Sequence, residues 1–407
     1  MKGALSHIKV LDLARILAGP WCTQNLADMG ADVIKVERPG CGDDTRSWGP
    51  PWIKDAQGRD TRDSGYYASA NRNKRSVTVD LASAEGQAIV RELAARSDVF
   101  IENYKLGDMK RYGLDYESIR AINPGIVYCS ITGFGQEGPY ASKPGYDFIF
   151  QGLGGIMSLT GEQDDLPGGG PQKVGIALSD IMTGMYASIA ILSALAYRSV
   201  SGQGQYIDMA LLDCTVAVGS NQATAYLLNG EIPKRYGNAH AAVVPYQAFE
   251  TSDGHVIITV GNDAQWRRYC EVMGRPDLAQ DERFATTSSR IINRDALVPE
   301  IARTMRERSC TEWLTSLEAA GVPCGPINNY KQVFEDPQVR YRRLHEQVRR
   351  SDGGTVPVLA SPLRLASTPP AYHRAPPSLG EHTDEVLSKE LGKSKSEIEA
   401  LRCRGVI

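Results

Sequence analysis

Short apolar runs separated by polar turns dominate the first third of the chain. Residues 8–13 (IKVLDL) and 32–37 (DVIKVE) read as buried strands, and the segment between them carries apolar positions at helical spacing, with Pro20 in its first turn and Gly30 as its stop. That pattern predicts a βαβ unit. Strand-like residues 75–81, a helix opened by Ser83, and strands at 98–103 and 125–132 continue the alternation. An α/β class follows, with a Rossmann-like open parallel sheet and helices on both faces. Ligands of such sheets lie beyond the carboxyl ends of the strands, so the loops at 14–19, 37–46, 103–111 and 133–146 should share one rim.

Further along, the periodicity changes. Residues 181–197 form a long apolar helix rich in small residues, and 202–213 read as a strand entering a helix. Strand-like runs flank a Ser-Asp-Gly turn within 243–262, an antiparallel hairpin signal, and amphipathic helices follow. The expected organisation is a large Rossmann-like domain over 1–200, a smaller α+β domain over 225–328, and a Pro-rich segment, 329–407, that returns to the large domain.

Composition narrows the partners. Hydrophobic residues are 42% and charged residues 23% of the 407, and the formal net charge is -3, so no global field favours nucleic acid or an anionic membrane. The eight cysteines include no C-x-x-C pair and the six histidines show no metal-ligand spacing, which predicts reduced thiols and no metal. The 181–197 helix is interrupted by Gly, Ser and Thr, and the first residues run straight into a strand without an apolar leader, so a cytoplasmic location is expected.

Candidate chemistry gathers on the rim. The first turn, ARILAGP, lacks the G-x-G-x-x-G of a dinucleotide site, and no G-x-x-x-x-G-K-[ST] loop exists. Cations instead stand at predicted strand ends: Lys35 and Arg38, then Arg72, Lys74 and Arg75, then Arg111 beyond Tyr104. Such a set suits a ligand with phosphates and an aromatic base. Solvated surface charge is the competing explanation for each of them. The glycine-rich 161–171 loop is a candidate lid. Asp180 stands where the small-residue helix begins, and Asp is a favoured helix N-cap. His240 sits in a polar loop that enters the smaller domain.

The segments LAGPWCTQNLADMGADVIKVERPGCGDDTR, NRNKRSVTVDL, SITGFGQEGP, GIALSDIMTGMYA, VVPYQAFETSDG and GVPCGPINN occur in this order. Together they resemble the class III CoA-transferase family, over nearly the whole chain. Within the family, ERPGCGDDTRSWGPP and AHAAVVPYQAF are most similar to a branch that moves CoA between dicarboxylic acids. The resemblance implies an acyl-CoA substrate, with succinyl-CoA as donor and a diacid such as glutarate as acceptor. No permanently bound cofactor is implied. It makes Asp180 the nucleophile, Ile16, Arg38, Asn103, Tyr104 and Arg111 contacts for CoA, and Arg72, Lys74 and Arg75 further phosphate contacts. Tyr146, Asp147 and His240 become candidates for the acid site, and an interlocked homodimer is expected. At the start of the Asp180 helix, the positive helix end should favour the ionised carboxylate that attack on a thioester requires.

Two departures shape the choice among relatives. An oxalate-using branch has Gln where this chain has Leu17, which argues for a longer acid. An α-methylacyl-CoA racemase, the alternative enzyme, places His where Tyr146 stands, and a neutral Tyr is a poor base near pH 7. A non-catalytic acyl-CoA-binding protein would keep the cations and dispense with Asp180.

Overall fold

The computed structural model describes residues 3–407. Six strands build one parallel sheet: β1 (Lys9–Asp12), β2 (Asp32–Glu37), β3 (Lys74–Thr78), β4 (Val99–Glu102), β5 (Val127–Thr132) and β6 (Gln205–Ala210). Their spatial order is 3-2-1-4-5-6, with every neighbouring pair parallel. That is the doubly wound order, whose direction of growth reverses between β1 and β4. Strand burial on both faces explains the near-continuous apolar runs of β1, β4 and β5.

Helix α1 (Ala18–Asp28) returns the chain from β1 to β2, and α2 (Ala84–Ala94), capped by the Ser83 hydroxyl, leads from β3 towards β4. Between β5 and β6 run α3 (Asp147–Leu153) and α4 (Leu178–Ser201). Gly184 lets α4 lie against α1, because a Cβ there would stand 2.6 Å from the Ala18 carbonyl oxygen. By length and composition α4 could cross a membrane. Here one face, including Thr183, Ala187, Ile191 and Ala194, is buried against α1 and the sheet.

The chain divides into two compact units: residues 1–156, 174–224 and 343–407, and residues 157–173 with 225–342. The 157–173 segment therefore clusters with the second unit, not with the large domain in which the sequence reading put it. Gln172 N–H donates to the Thr160 carbonyl at 2.8 Å, and the Arg235 side chain donates to the carbonyls of Ser158 and Glu162 at 3.1 and 3.2 Å. The glycine-rich loop is thus bonded across its base and tied to its own unit. The second unit holds the antiparallel strands β7 (Tyr246–Glu250), β8 (His255–Thr259) and β9 (Cys324–Pro326) around a core that includes Trp266, Trp313 and Leu297.

The C-terminal segment completes the first unit. Val386, Leu387, Ile398 and Leu401 join the core formed by Leu11, Ile34 and Phe100. Backbone bonds from His382 N–H to Ser76 O (2.9 Å) and from Asp80 N–H to Val406 O (2.8 Å) fasten this segment along β3, the outer strand of the sheet.

Candidate active site

The carboxyl ends of β1, β4 and β5 open on a cavity of about 480 Å³, at the switch point of the sheet. Residues 15–18, 103–106, 131–133 and 141–146, with Asp44, Asp180 and Leu211, line it. Three side chains, two buried and Asn103 half-buried, hold its first loops. Asn103 Oδ1 accepts the Arg15 N–H at 2.9 Å and Asn103 Nδ2 donates back to the Arg15 carbonyl at 2.8 Å. Glu102 Oε2 accepts the Tyr104 N–H at 2.7 Å, and burial pushes that carboxyl up to about 7. Asp43 accepts the Ile16 N–H at 3.2 Å and pairs with Lys35 Nζ at 2.9 Å. Burial alone would raise the Asp43 carboxyl, but Lys35 and the Thr45 donors outweigh it and keep it below its ordinary value.

That anchorage has a use, because Ile16 has φ 71°. A β-branched residue in the left-handed region is strained, by about 1–3 kcal/mol, and persists only where its surroundings impose it.

Asp180 stands on the inner wall, 9% exposed, as the third residue of α4. It does not cap that helix, contrary to the base expectation for an Asp at a helix start. The N-cap position is Ala177, and the missing acceptor comes from α3. Asp147 Oδ1 accepts the Ser179 N–H at 2.7 Å and the Asp180 N–H at 3.3 Å. With Asp147 occupying the positive helix end, Asp180 is not pulled towards ionisation. Burial first, and the Asp147 charge second, push its carboxyl up to about 7.

Of the residues singled out in the sequence, Ile16, Asn103, Tyr104, Tyr146 and Asp180 come together on this cavity, and Asp147 touches it through the start of α4. Arg38 follows β2 at the same rim and is exposed, outside the lining. Arg111 is likewise exposed, bonded to Asp108 at 3.1 Å and to the Tyr112 hydroxyl at 3.0 Å. His240 belongs to the second unit. Its Nδ1 accepts the Ala242 N–H at 3.0 Å, and Arg294 binds its carbonyl at 2.6 Å.

The basic loop at 72–75 does not face the cavity, contrary to the expected phosphate contacts. It enters β3 at the amino end of the strand, opposite the cavity rim, and its cations point into the protein. Arg72 bonds Asp28 at 3.0 Å, Lys74 bonds Asp12 at 3.1 Å, and Arg75 bonds Asp32 at 3.0 Å and Glu390 at 3.1 Å. All three are buried, and burial lowers the Lys74 ammonium to about 8. They satisfy internal carboxylates and are not available for phosphates.

The cations that do line the cavity are Arg15, Lys105 and Lys143. Each lies in a loop that strand polarity had assigned to the rim, so position relative to strand direction was the usable signal and clustering in the sequence was not. Arg15 lies over the Tyr104 ring, 5.3 Å from its centroid, and pairs with Asp44 at 3.1 Å. Tyr66 is a further neighbour of Asp180. Burial, then Asp180 and Asp147, push its phenol up to about 12, so it stays a proton donor at neutral pH.

Residues 5–383 match CoA-transferase family III. The chain is 48% identical over 388 residues to a succinate–glutarate CoA-transferase of Agrobacterium fabrum, covering 95% of this chain and 96% of that protein. Identity with the human succinyl-CoA:glutarate CoA-transferase is 41% over 403 residues, covering 99% and 90%. An acetyl-CoA:oxalate CoA-transferase of Acetobacter aceti is 35% identical over 391 residues, covering 96% of each chain. The crystal structure of a CaiB/BaiF family protein from Brucella suis is similar with a TM-score of 0.86 at 48% identity, covering 96% of this chain and 100% of that one.

Proposed function

The chain belongs to CoA-transferase family III and is an enzyme of that class, and on that premise we propose that it carries CoA from succinyl-CoA to glutarate with Asp180 as its nucleophile. The observation that carries the reading is a carboxylate, raised to about 7, on the wall of a cavity that opens at the sheet's switch point. A carboxylate of that basicity is a stronger nucleophile than an ordinary aspartate once ionised, and burial strips the hydration that would blunt it.

Asp180 Oδ attacks the thioester carbonyl carbon, the C–S bond breaks, and CoA leaves as thiolate. The product is a mixed anhydride between Asp180 and succinate. Thiolate then attacks the aspartyl Cγ and expels succinate, leaving CoA joined to Asp180 as a thioester. The incoming acid's carboxylate displaces the thiolate to give a second anhydride, and thiolate attack on its acyl carbon releases the new acyl-CoA and free Asp180. No water enters any step, so the thioester energy is conserved. Arg15, Lys105 and Lys143 are suited to the phosphates of CoA, and the Tyr66 hydroxyl to the oxyanion that forms at each tetrahedral stage. Leu17, apolar on the cavity wall, favours the methylene spacer of a C5 diacid over oxalate.

In Asp180→Asn the amide cannot attack, and transfer should fall to background with CoA still bound. Hydroxylamine added during turnover should mark the peptide containing IALSDIMTG only when acyl-CoA is present. Full activity in the variant, or marking confined to another carboxylate, would overturn the mechanism. His240 is the candidate for acid choice, and His240→Ala should alter the ranking of acids in a competition assay; an unchanged ranking removes it from that role.

The large apolar surface of the first unit, with Phe148, Leu153, Ile189 and Val200 exposed, supports a homodimer. Eight cysteines without a disulfide support a reducing compartment such as the cytoplasm.

A further inference from the structure

Gln151 lies at the centre of α3 and is fully buried. An amide in that position is costly unless its polar atoms are bonded, and both of them are. Nε2 donates to Asp147 Oδ2 at 2.7 Å and to the Ile176 carbonyl at 3.1 Å, while Oε1 accepts the Val174 N–H at 2.8 Å. One side chain thereby joins the residue that caps α4 to the backbone segment that leads into α4. Asp147 in turn holds the N–H groups of Ser179 and Asp180. A second tie meets the same turn, since the Thr215 hydroxyl donates to Ser179 Oγ at 2.9 Å.

We propose that Gln151 is a positioning residue for CoA transfer: it fixes the Asp147 cap and the 174–176 backbone together, and so sets where the Asp180 carboxylate stands on the cavity wall. The proposal rests on the reading of Asp180 as nucleophile. A glutamine suits the task because it is neutral. It restrains Asp147 by hydrogen bonding without cancelling the charge that, with burial, keeps Asp180 basic, whereas Lys or Arg at 151 would cancel it. The bonds of Gln151 and Asp147 run to residues 174–180, while the 15–18 and 103–106 loops are held by Asp43, Asn103 and Glu102, so ligand binding and nucleophile placement are separable.

The test compares three proteins. Gln151→Glu keeps the shape and the acceptor for Val174 but sets a carboxylate against Asp147 and the Ile176 carbonyl, which breaks the clamp. Its kcat for transfer should fall roughly 100-fold, the scale of a nucleophile displaced by about 1 Å, with the KM for acyl-CoA within about twofold of the parent. Adding Asp147→Asn exchanges donor and acceptor between 147 and 151: the amide now at 147 donates to the carboxylate now at 151, the Ile176 carbonyl stays without that donor, and the net charge of the pair is that of the parent. The double variant should recover kcat to within roughly tenfold. Its negative charge has left the start of α4, so its rate inflection should also move to lower pH, a shift that a merely structural role would not produce.

Parental kcat in Gln151→Glu overturns the proposal, as does a double variant no faster than the single one when both melt cooperatively and bind CoA. Should Gln151→Glu fail to fold, Gln151→Met decides, by the same kcat loss at retained KM or by its absence. Asp180→Asn separates the two readings. An active Asp180→Asn enzyme removes the nucleophile itself, while an inactive one beside fully active Gln151 variants removes only the positioning role.

Discussion

At the scale of single residues, the decisive quantity is the ionisation of Asp180. With Asp180 as the proposed nucleophile, attack needs the carboxylate, so the pre-steady-state rate of acyl transfer to the enzyme should rise with pH through a single inflection near 7, the value to which burial and Asp147 bring it. Stability should run the other way. The unfolded chain ionises this group near 3.8 and the folded protein only near 7, so stability is lost as pH rises between those values and is level above them. Asp180→Asn removes the penalty. At pH 8 the variant should be more stable than the parent by on the order of a few kcal/mol, and at pH 4 by almost nothing. Urea unfolding at the two pH values checks this, and equal stability differences at both would contradict the placement of Asp180 in a desolvated wall. Asp147 shows how a residue role escapes the sequence: Asp180 has the composition signal of a cap, but the cap is a side chain 33 positions earlier.

At the scale of elements, the loop after β1 is the informative one. Its backbone is bent at Ile16 into a conformation that glycine adopts freely, yet the sequence carries a β-branched residue there. The strain is balanced by Asp43 and Asn103, and the side chain so displayed lines the cavity. Ile16→Gly should therefore leave the melting temperature unchanged or slightly higher, since relief of φ strain offsets lost packing, while the KM for acyl-CoA rises several-fold. A marked fall in melting temperature with KM unchanged would show that Ile16 serves packing alone. Helix α4 illustrates a second element-scale rule. Gly184 permits its contact with α1 beside the buried Thr183, Ala187 and Ser188, while the large apolar Ile189, Tyr197 and Val200 are left exposed.

At the scale of the molecule, the exposed part of α4 bears on the homodimer proposed above. Val200 is 89% and Ile189 57% exposed on α4, and Leu153 is 56% exposed on α3. Burying such side chains gains roughly 25 cal/mol per Å², enough over an extended face to hold two subunits together. Light scattering should give twice the chain mass, and Ile189→Asp combined with Val200→Asp should lower it towards a single chain. A parent protein monomeric at micromolar concentration would contradict the proposed dimer. The C-terminal segment matters at this scale too, because Leu387 and Leu401 lie in the core built by the first strands.

The alternation of buried strands and amphipathic helices was legible in the sequence because it obeys local rules: apolar runs of strand length, Pro20 in the first turn of α1, and Ser83 as the cap of α2. Strand polarity then named the rim loops, the ordered motifs named the family, and the Asp180 they singled out lies on the cavity wall. What the tertiary structure alone decided concerns charge. Arg72, Lys74 and Arg75 look like a ligand-binding cluster in one dimension, but the fold buries them beside Asp28, Asp12 and Asp32, each from a segment more than 40 residues away. Arg15, Lys105 and Lys143, scattered in the sequence, converge on the cavity instead. The physical reason is range. Hydrophobic periodicity is read over one or two turns of chain, whereas the partner of a buried charge, and the shift in its ionisation, depend on whichever groups the packed fold brings within a few ångströms.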